Sequence, residues 1–557
     1  MNIRTTTLPR ALLLLCLILT LCSFSIAEQP ALEAARAPTS VWSLSCRSPF
    51  SQFSPSVPDF FEIPLDSALT YEVVGSADLL SKEDFDSLSA TGIWGITAGV
   101  NESGFRSYGV SIPVAQAVAA VKPYVPLGIQ FNCDVTPDDI VAAHDALPGC
   151  RYLALQKMSH LGAGVLQRIS AFRELESLGL RPDSLSDNDI AALGGMSSLR
   201  SLRLSLPDQG FDAEKLYKSL ASLHSLKYLS LQGSFLDSRI RQVLSGMLDL
   251  ETVDLFKPRG GVDLLEPVFA SCVAKRVSVG AGVPSEEVPF QFSGEESTIE
   301  DLTLNYFGVS SALINSTSKL QNLRNLTLNG NKLPAEVFPL PAQIRSLGML
   351  NMKISLEWFQ EIADLSQLDT LCLSLDPTCT QQFCSAGLPV GLKSLRLMTA
   401  LNDDDSPQDV IAKVASLPKL TNLSLLLFGS RLPSGALKSL AEQTGLKDLE
   451  IMCSSMKLSD LTRLSGLEIL TALGECDAVE ADASALSRMN SLKMLVLTLS
   501  SVPDGLWDAM AKMPALEKVE IHAPLPQVEL DAKRAALHAA NPKLKFIGFY
   551  SSLMPPK

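Results

Sequence analysis

Residue types suited to catalysis or metal binding are thinly spread in this chain. Its histidines, His144, His160, His224, His522 and His538, are scattered, and four fall in helical runs or loops. His522 follows Ile521 in an alternating pattern, which sets it on the inner face of a strand as a binding candidate. No GxSxG elbow, GxxxxGK[ST] phosphate loop or HExxH zinc motif occurs, and no GxGxxG sits between a strand and a helix. Carboxylates are plentiful, but no spacing singles out a catalytic pair. The expectation is a non-catalytic protein that needs no cofactor and no metal.

The cysteines support that reading. Cys372, Cys379 and Cys384 lie close together, yet they form no CxxC pair and have no histidine nearby. Cys372, inside an LCL string, reads as a small buried side chain, whereas Cys379 and Cys384 are spaced to close a small loop. Setting aside Cys16 and Cys22 leaves an odd number of cysteines in the remaining chain. Asp403, Asp404 and Asp405 are adjacent, without the spaced ligands and glycine of a calcium loop, and read as solvated.

Charge narrows the partners. The formal net charge is -14. Loss of Arg4 and Arg10 makes it more negative still, so nucleic acid and anionic lipid, which require basic surface, are not expected partners. Those two arginines begin an export signal at 1–27. A basic start is followed by the apolar run ALLLLCLILTLCSFSIA and by small residues at Ser25 and Ala27, before Glu28. The run is somewhat short for a span of about 20 residues. Lipidation at Cys22 is disfavoured because Leu19-Thr20-Leu21 lacks the small residue expected before it. The expected location is secreted or cell envelope, periplasm or surface in a bacterium, with no stable membrane span after cleavage.

What positions any site is a recurrence. LRNLTLNGNKL at 323–333 matches L-x-x-L-x-L-x-x-N-x-L, and related strings run from CRYLAL at 150 through LESLGL, LRSLRL, LKYLSL and LETVDL to LKFIGF at 544. Seventeen such starts keep a mean interval of about 25 residues. The last two leucines of each string alternate with polar residues, as in a half-buried strand. Between strings, SDNDIAAL, TPDDIVAA and SPQDVIAKV carry helix-start signals at Ser186 with Asp189, at Thr136 and Pro137, and at Ser406 and Pro407. A strand followed by a crossing helix returns parallel to its predecessor.

This pattern resembles the leucine-rich repeat family. The resemblance implies an exported, ribonuclease-inhibitor-like α/β solenoid: a curved horseshoe with a parallel inner sheet and a mostly helical convex side, in which neighbours bury one another's leucines. It implies a scaffold for binding and leaves the partner open. The expected organisation is a signal at 1–27, a linker and N-terminal cap at 28–67, divergent repeats at 68–149, the array at 150–550 and a tail at 551–557. Blurred copies stand at ALTYEV, TGIWGI and YVPLGIQF. The asparagine after the third leucine is Asn331 in one repeat but Asp183, Ser234, Phe307 and Met352 elsewhere, so the family's asparagine ladder is expected to be mostly absent. Residues 256–298 are poorly patterned and read as excursions from the array.

The binding surface is then the inner face. Alternation exposes Arg181, Arg203, Tyr228, Gln232, Asp254, Asn305, Asn325, Asn329, Arg396, Glu450 and His522. Arg181, Arg203 and Tyr228 fall on three successive strands, with Gln232 and Asp254 beside them, and this group is the expected site for a protein or glycan. Sequons start at Asn101, Asn315, Asn325 and Asn422. Two of them point to the inner face, which favours a bacterial host or unused sites. The alternative function is a structural or assembly protein of the cell envelope without a soluble ligand.

Overall fold

In the computed structural model, the described residues are 43–47, 70–74, 95–98, 128–131 and 137–551. Residues 147, 156–163, 183, 208, 258–263, 282–296, 307–310, 331–332, 334–335, 402–405, 444 and 545 are excepted. The export segment, most of 28–67, Asn331 and Asp403 to Asp405 lie outside the described residues. The chain divides into two compact units, 1–279 and 280–557.

Every one of the seventeen strings places a strand at its third residue, from Tyr152–Leu155 and Ser177–Leu180 through Ser201–Ser205 to Phe546–Ser551. The reason is visible in burial. Leu199, Leu202 and Leu204 of LRSLRL are all fully buried, whereas Arg203 and Ser205 between and beyond them are half-buried. The first leucine packs from the turn and the next two from one face of the strand, so shifting the string by one residue would turn the leucines to solvent.

In the first unit, successive strands from Gly95–Ala98 to Thr252–Lys257 pair parallel and in register, with Leu178, Leu202, Leu229 and Val253 opposite one another. The blurred copies TGIWGI and YVPLGIQF therefore supply sheet strands. Thr70–Val74, within ALTYEV, instead pairs antiparallel with Ser43–Arg47 in a separate two-stranded sheet. In the second unit, strands from Asp301–Asn305 to Phe546–Ser551 pair parallel in the same way. The poorly patterned stretch still holds helix Leu265–Ser271 and strand Arg276–Ala281, while 258–263 and 282–296 lie outside the described residues.

Helices cover the leucine side of each sheet. Two of the start signals act as expected: Ser186 and Asp189 form a reciprocal capping box on Asp187–Gly194, and Ser406 accepts from the Asp409 amide, while Thr136, before the helix Pro137–Ala146, lies outside the described residues. Asp189 also reaches sideways. Its buried carboxylate accepts from the Gly164 and Leu166 amides, both at 3.1 Å, at the start of the neighbouring helix Val165–Ile169. In the second unit Asp460 accepts from the Gly435 amide at 2.9 Å. Both glycines have left-handed backbones, which aim their N–H groups at the next repeat. These acids tie repeat to repeat on the helical side.

Of the ladder positions, Asp183, Phe307 and Asn331 lie outside the described residues. Met352 is buried, and the buried Ser234 hydroxyl has no partner among the described residues. A different ladder is present. Asn329 donates to Asn305 at 3.0 Å, Asn351 donates to Asn329 at 3.0 Å, and Ser374 donates to Asn351 at 3.3 Å. Asn329, expected to be exposed, is therefore buried between two neighbours of its own kind.

Candidate functional site

The face of each sheet turned away from the helices is built from the residues between the leucines. In the first unit its central row runs Gly179, Arg203, Ser230 and Asp254. Tyr228 stands one step earlier on its strand, opposite Ser201 and Thr252. Gln232 stands one step later, opposite Ser205 and Phe256. Arg181 is exposed just beyond Leu180, which pairs with Leu204.

Three of the five expected site residues are joined. Arg203 donates through Nη2 to the Tyr228 hydroxyl at 3.2 Å, and Ser230 donates to Asp254 at 3.3 Å. Burial pushes the Asp254 carboxyl upward, opposed by the nearby Arg203 cation and by hydrogen bonds from the Ser278 and Ser230 hydroxyls. Burial likewise raises Tyr228, and Arg203 again opposes it. Guanidinium and phenol are thus joined across adjacent strands, with the Asp254 carboxyl on the following strand near enough to feel the Arg203 charge. Gly179 beside Arg203 has no side chain to cover the guanidinium from that direction. Sequence alternation finds Arg203, Tyr228 and Asp254, and the same rule places Ser278 of AKRVSV at the equivalent position of the next repeat, although the expected site did not include it.

The second unit's central row reads Thr303, Thr327, Gly348, Cys372, Arg396, Ser424, Glu450, Thr471, Val496, Glu520 and Gly548. Ser424 donates to Glu450 at 2.5 Å, and Asn422 donates to Asp448 at 3.4 Å. Burial pushes the Asp448 carboxyl up to about 6, with the Glu450 charge adding to it and the Asn422 amide opposing. Asp448 is a residue the alternation rule reaches as readily as Glu450, since it begins the same strand. His522 contacts Glu520 at 2.8 Å. Asn325 and Asn422, the inner-face sequon residues, donate their amides to Asp301 and Asp448.

Arg396 differs from Arg203. It has no hydrogen bond or ion pair among the described residues, and its Nε is buried without a partner. Beside it Cys372 is buried and its thiol is pushed up to about 11. Cys379 and Cys384 do not form the disulfide their spacing allows.

The edge where strands begin is charged as well, but its charges satisfy one another. Lys447 and Lys493 flank Glu468 at 2.7 and 2.8 Å, and Lys393 meets Asp369 at 2.8 Å. In the first unit this edge includes an open recess of about 380 Å³ lined by Arg151, Glu174, Glu176, Ser197, Ser198, Arg200 and Ser225, across which Arg151 faces Glu176 at 3.7 Å. Among the described residues no three His, Cys, Asp or Glu side chains converge on a metal-sized position, and no helix is long and apolar enough to cross a membrane.

No protein-family model matches the chain, and no curated protein matches it. Solved structures do. The TLR13 complex with a single-stranded RNA aligns over 86% of this chain and 80% of its own at 14% identity, with a TM-score of 0.39. A leucine-rich-repeat protein of Leptospira interrogans covers 84% and 92% at 15% identity and TM-score 0.29. An internalin from Listeria monocytogenes covers 73% and 94% at 15% and 0.29. Likenesses at these scores add no weight to what the chain's own repeats establish. The recurring string, the in-register parallel strands and the helices between them make each unit an α/β solenoid whose repeat has the leucine-rich pattern.

Proposed function

We propose that the chain is an exported, non-catalytic binding protein whose sheet face, opposite the helices, receives a protein or glycan. The observation that carries this reading is the Arg203–Tyr228–Asp254 network: donor, acceptor and flat aromatic surface held ready on consecutive strands. Side chains already held by hydrogen bonds on a sheet have little left to order when a polar partner arrives, which is what a recognition surface requires. The acidic chain offers nothing general to nucleic acid.

Export follows from the basic start, apolar run and small residues at 1–27, and N-terminal sequencing of the secreted protein is expected to begin near Glu28. An intact Met1 or an acylated Cys22 would overturn it. The binding reading is tested by affinity capture with the mature chain and with a variant carrying Arg181→Ala and Tyr228→Ala. The variant is expected to fold normally and to bind a captured partner at least about 2 kcal/mol more weakly, the scale of an interface hot spot. Undiminished binding would move the site off the first unit's face.

A further inference from the structure

The second unit carries a guanidinium that the fold leaves unmatched. Arg396 stands in the central row of the inner face, on the strand Ser394–Ala400, where burial alternates and Leu395 and Leu397 point into the core. Its cross-strand neighbours are Cys372 on one side and Ser424 on the other, both too short to span the guanidinium and neither charged at neutral pH. The nearest carboxylate in that row, Glu450, lies one strand further and is held by the Ser424 hydroxyl at 2.5 Å. Asp448, on Glu450's strand, accepts instead from Asn422. Lys393, close by in sequence, is already engaged with Asp369. The Arg396 Nε is therefore buried with its hydrogen unspent, while the residue as a whole is half-buried and its Nη groups are not enclosed.

A half-buried guanidinium with no acceptor is costly to maintain in the free protein, and an incoming acceptor reaches it through the two Nη groups, which are not enclosed as Nε is. The paired Nη–H groups at the end of the side chain form a fork that a carboxylate accepts through both oxygens. A single positive charge in an acidic chain balances one negative charge. A dianionic phosphate would find no second free cation in this row, only Glu450 and Asp448 further along. We propose that Arg396 anchors one carboxylate of an acidic segment on a protein partner, with Met398, the next residue on the same face of the strand, beneath the stem of the incoming side chain. The proposal deepens the inner-face reading by naming a partner chemistry, and its test does not require the first unit's network to bind anything.

The probe is a fluorescein-labelled hexaglutamate peptide, followed by fluorescence anisotropy with the full mature chain at neutral pH, with hexaglutamine as the uncharged control. Arg396→Gln is expected to weaken hexaglutamate binding at least about tenfold, and Arg396→Lys, which keeps the charge and loses the fork, by an intermediate factor. Glu450→Gln, which removes the nearest competing carboxylate, is expected to tighten it. Acetate is expected to compete at least as well as inorganic phosphate. The thermal midpoint of Arg396→Gln is expected to stay at or rise slightly above the wild-type value, since no hydrogen bond is lost and an unmatched donor is removed. The proposal is overturned by no hexaglutamate binding, by binding that Arg396→Gln leaves within twofold, or by phosphate competing far better than acetate. Arg396-dependent binding in a protein whose Arg181/Tyr228 variant captures partners normally would leave this inference standing and sink the first unit's site alone.

Discussion

Two arginines at equivalent places, one in each unit, live in opposite circumstances. Arg203 and Arg396 both occupy the middle inner-face position of a strand, each between two buried leucines. Arg203 is used by its own fold: Tyr228 accepts from it, and Asp254 feels its charge from two strands away. Arg396 has Cys372 and Ser424 where partners would stand, and its Nε is unsatisfied. The comparison teaches that an inner-face charge is read by its row rather than by its residue type. A matched arginine belongs to a preformed surface, and an unmatched one to a contact not yet made.

The contrast assumes that the two scaffolds are alike beneath the polar layer. Leu202 and Leu395 provide the check, because each is the fourth residue of its string, precedes the arginine in question and is at most 1% exposed. Leu202→Ala and Leu395→Ala are expected to cost about 2–5 kcal/mol each, the range for a buried leucine. Denaturant unfolding measures the cost, and hydrogen exchange should place the loss around the mutated repeat, since coupling in such arrays runs between neighbours. A large difference between the two leucines would mean that the units differ in packing, and the arginine comparison would lose its common ground.

Next in size is removal of the matched arginine. Arg203→Met keeps an apolar stem but removes the charged donor to the Tyr228 hydroxyl, leaving it Ser230, and takes the nearby positive charge from Asp254. A loss of about 1–3 kcal/mol is expected, below the figure for a fully buried pair because the residues are only half-buried. The pH profile should change with it. Asp254 already titrates above the ordinary carboxylate range, so without the cation it should move higher still, and the variant should recover stability as the pH falls. A flat profile would argue that Arg203 and Asp254 are not coupled.

How much of this was open to a reader of the sequence depends on distance along the chain. The strands were legible because the leucine rule is local: each string carries its own register, and every strand begins where its string puts it. Inner-face membership of Arg203, Tyr228 and Asp254 was legible for the same reason. Pairing was not. Whether an inner-face residue finds a partner depends on what stands 21 to 28 positions away, and the interval varies from repeat to repeat. Asn329 looks like any exposed strand asparagine until Asn305 and Asn351 close over it. Asp189 looks like half of a capping box until its carboxylate is seen to hold Gly164 and Leu166 as well.

Asp448 offers a smaller test on the second unit alone. Burial, with Glu450's charge beside it, raises its carboxyl to about 6, above its value in the unfolded chain. For an acid shifted upward the folded state holds the proton more tightly. Stability is therefore greatest below the unfolded value and falls as the pH rises through about 6. Asp448→Asn is expected to stabilise the protein by about 1–2 kcal/mol at pH 7 and to change little at pH 4, after discounting for partial exposure. Urea midpoints at the two pH values decide it. Equal effects at both would mean that the carboxylate is solvated and that the second unit's acidic row is ordinary surface.

The smallest effect expected is the most discriminating, because its sign opposes that for Arg203. Arg396→Met removes a charge and a buried Nε–H that has no acceptor, and leaves a stem of similar length over Cys372 and Ser424. Nothing is orphaned by the change, since no partner among the described residues donates to or accepts from this guanidinium. What disappears is the desolvation of an unpaired donor, so a change between zero and a gain of about 1 kcal/mol is expected. Salt should make little difference to that value, because the nearest carboxylate, Glu450, is occupied with Ser424. Parallel urea titrations of Arg203→Met and Arg396→Met in one buffer give the comparison directly. If Arg396→Met proves as destabilising as its counterpart, the guanidinium has found Glu450 or another acceptor in solution. The two arginines would then be two cases of one structural role, and the unmatched charge on the second unit's face would be gone.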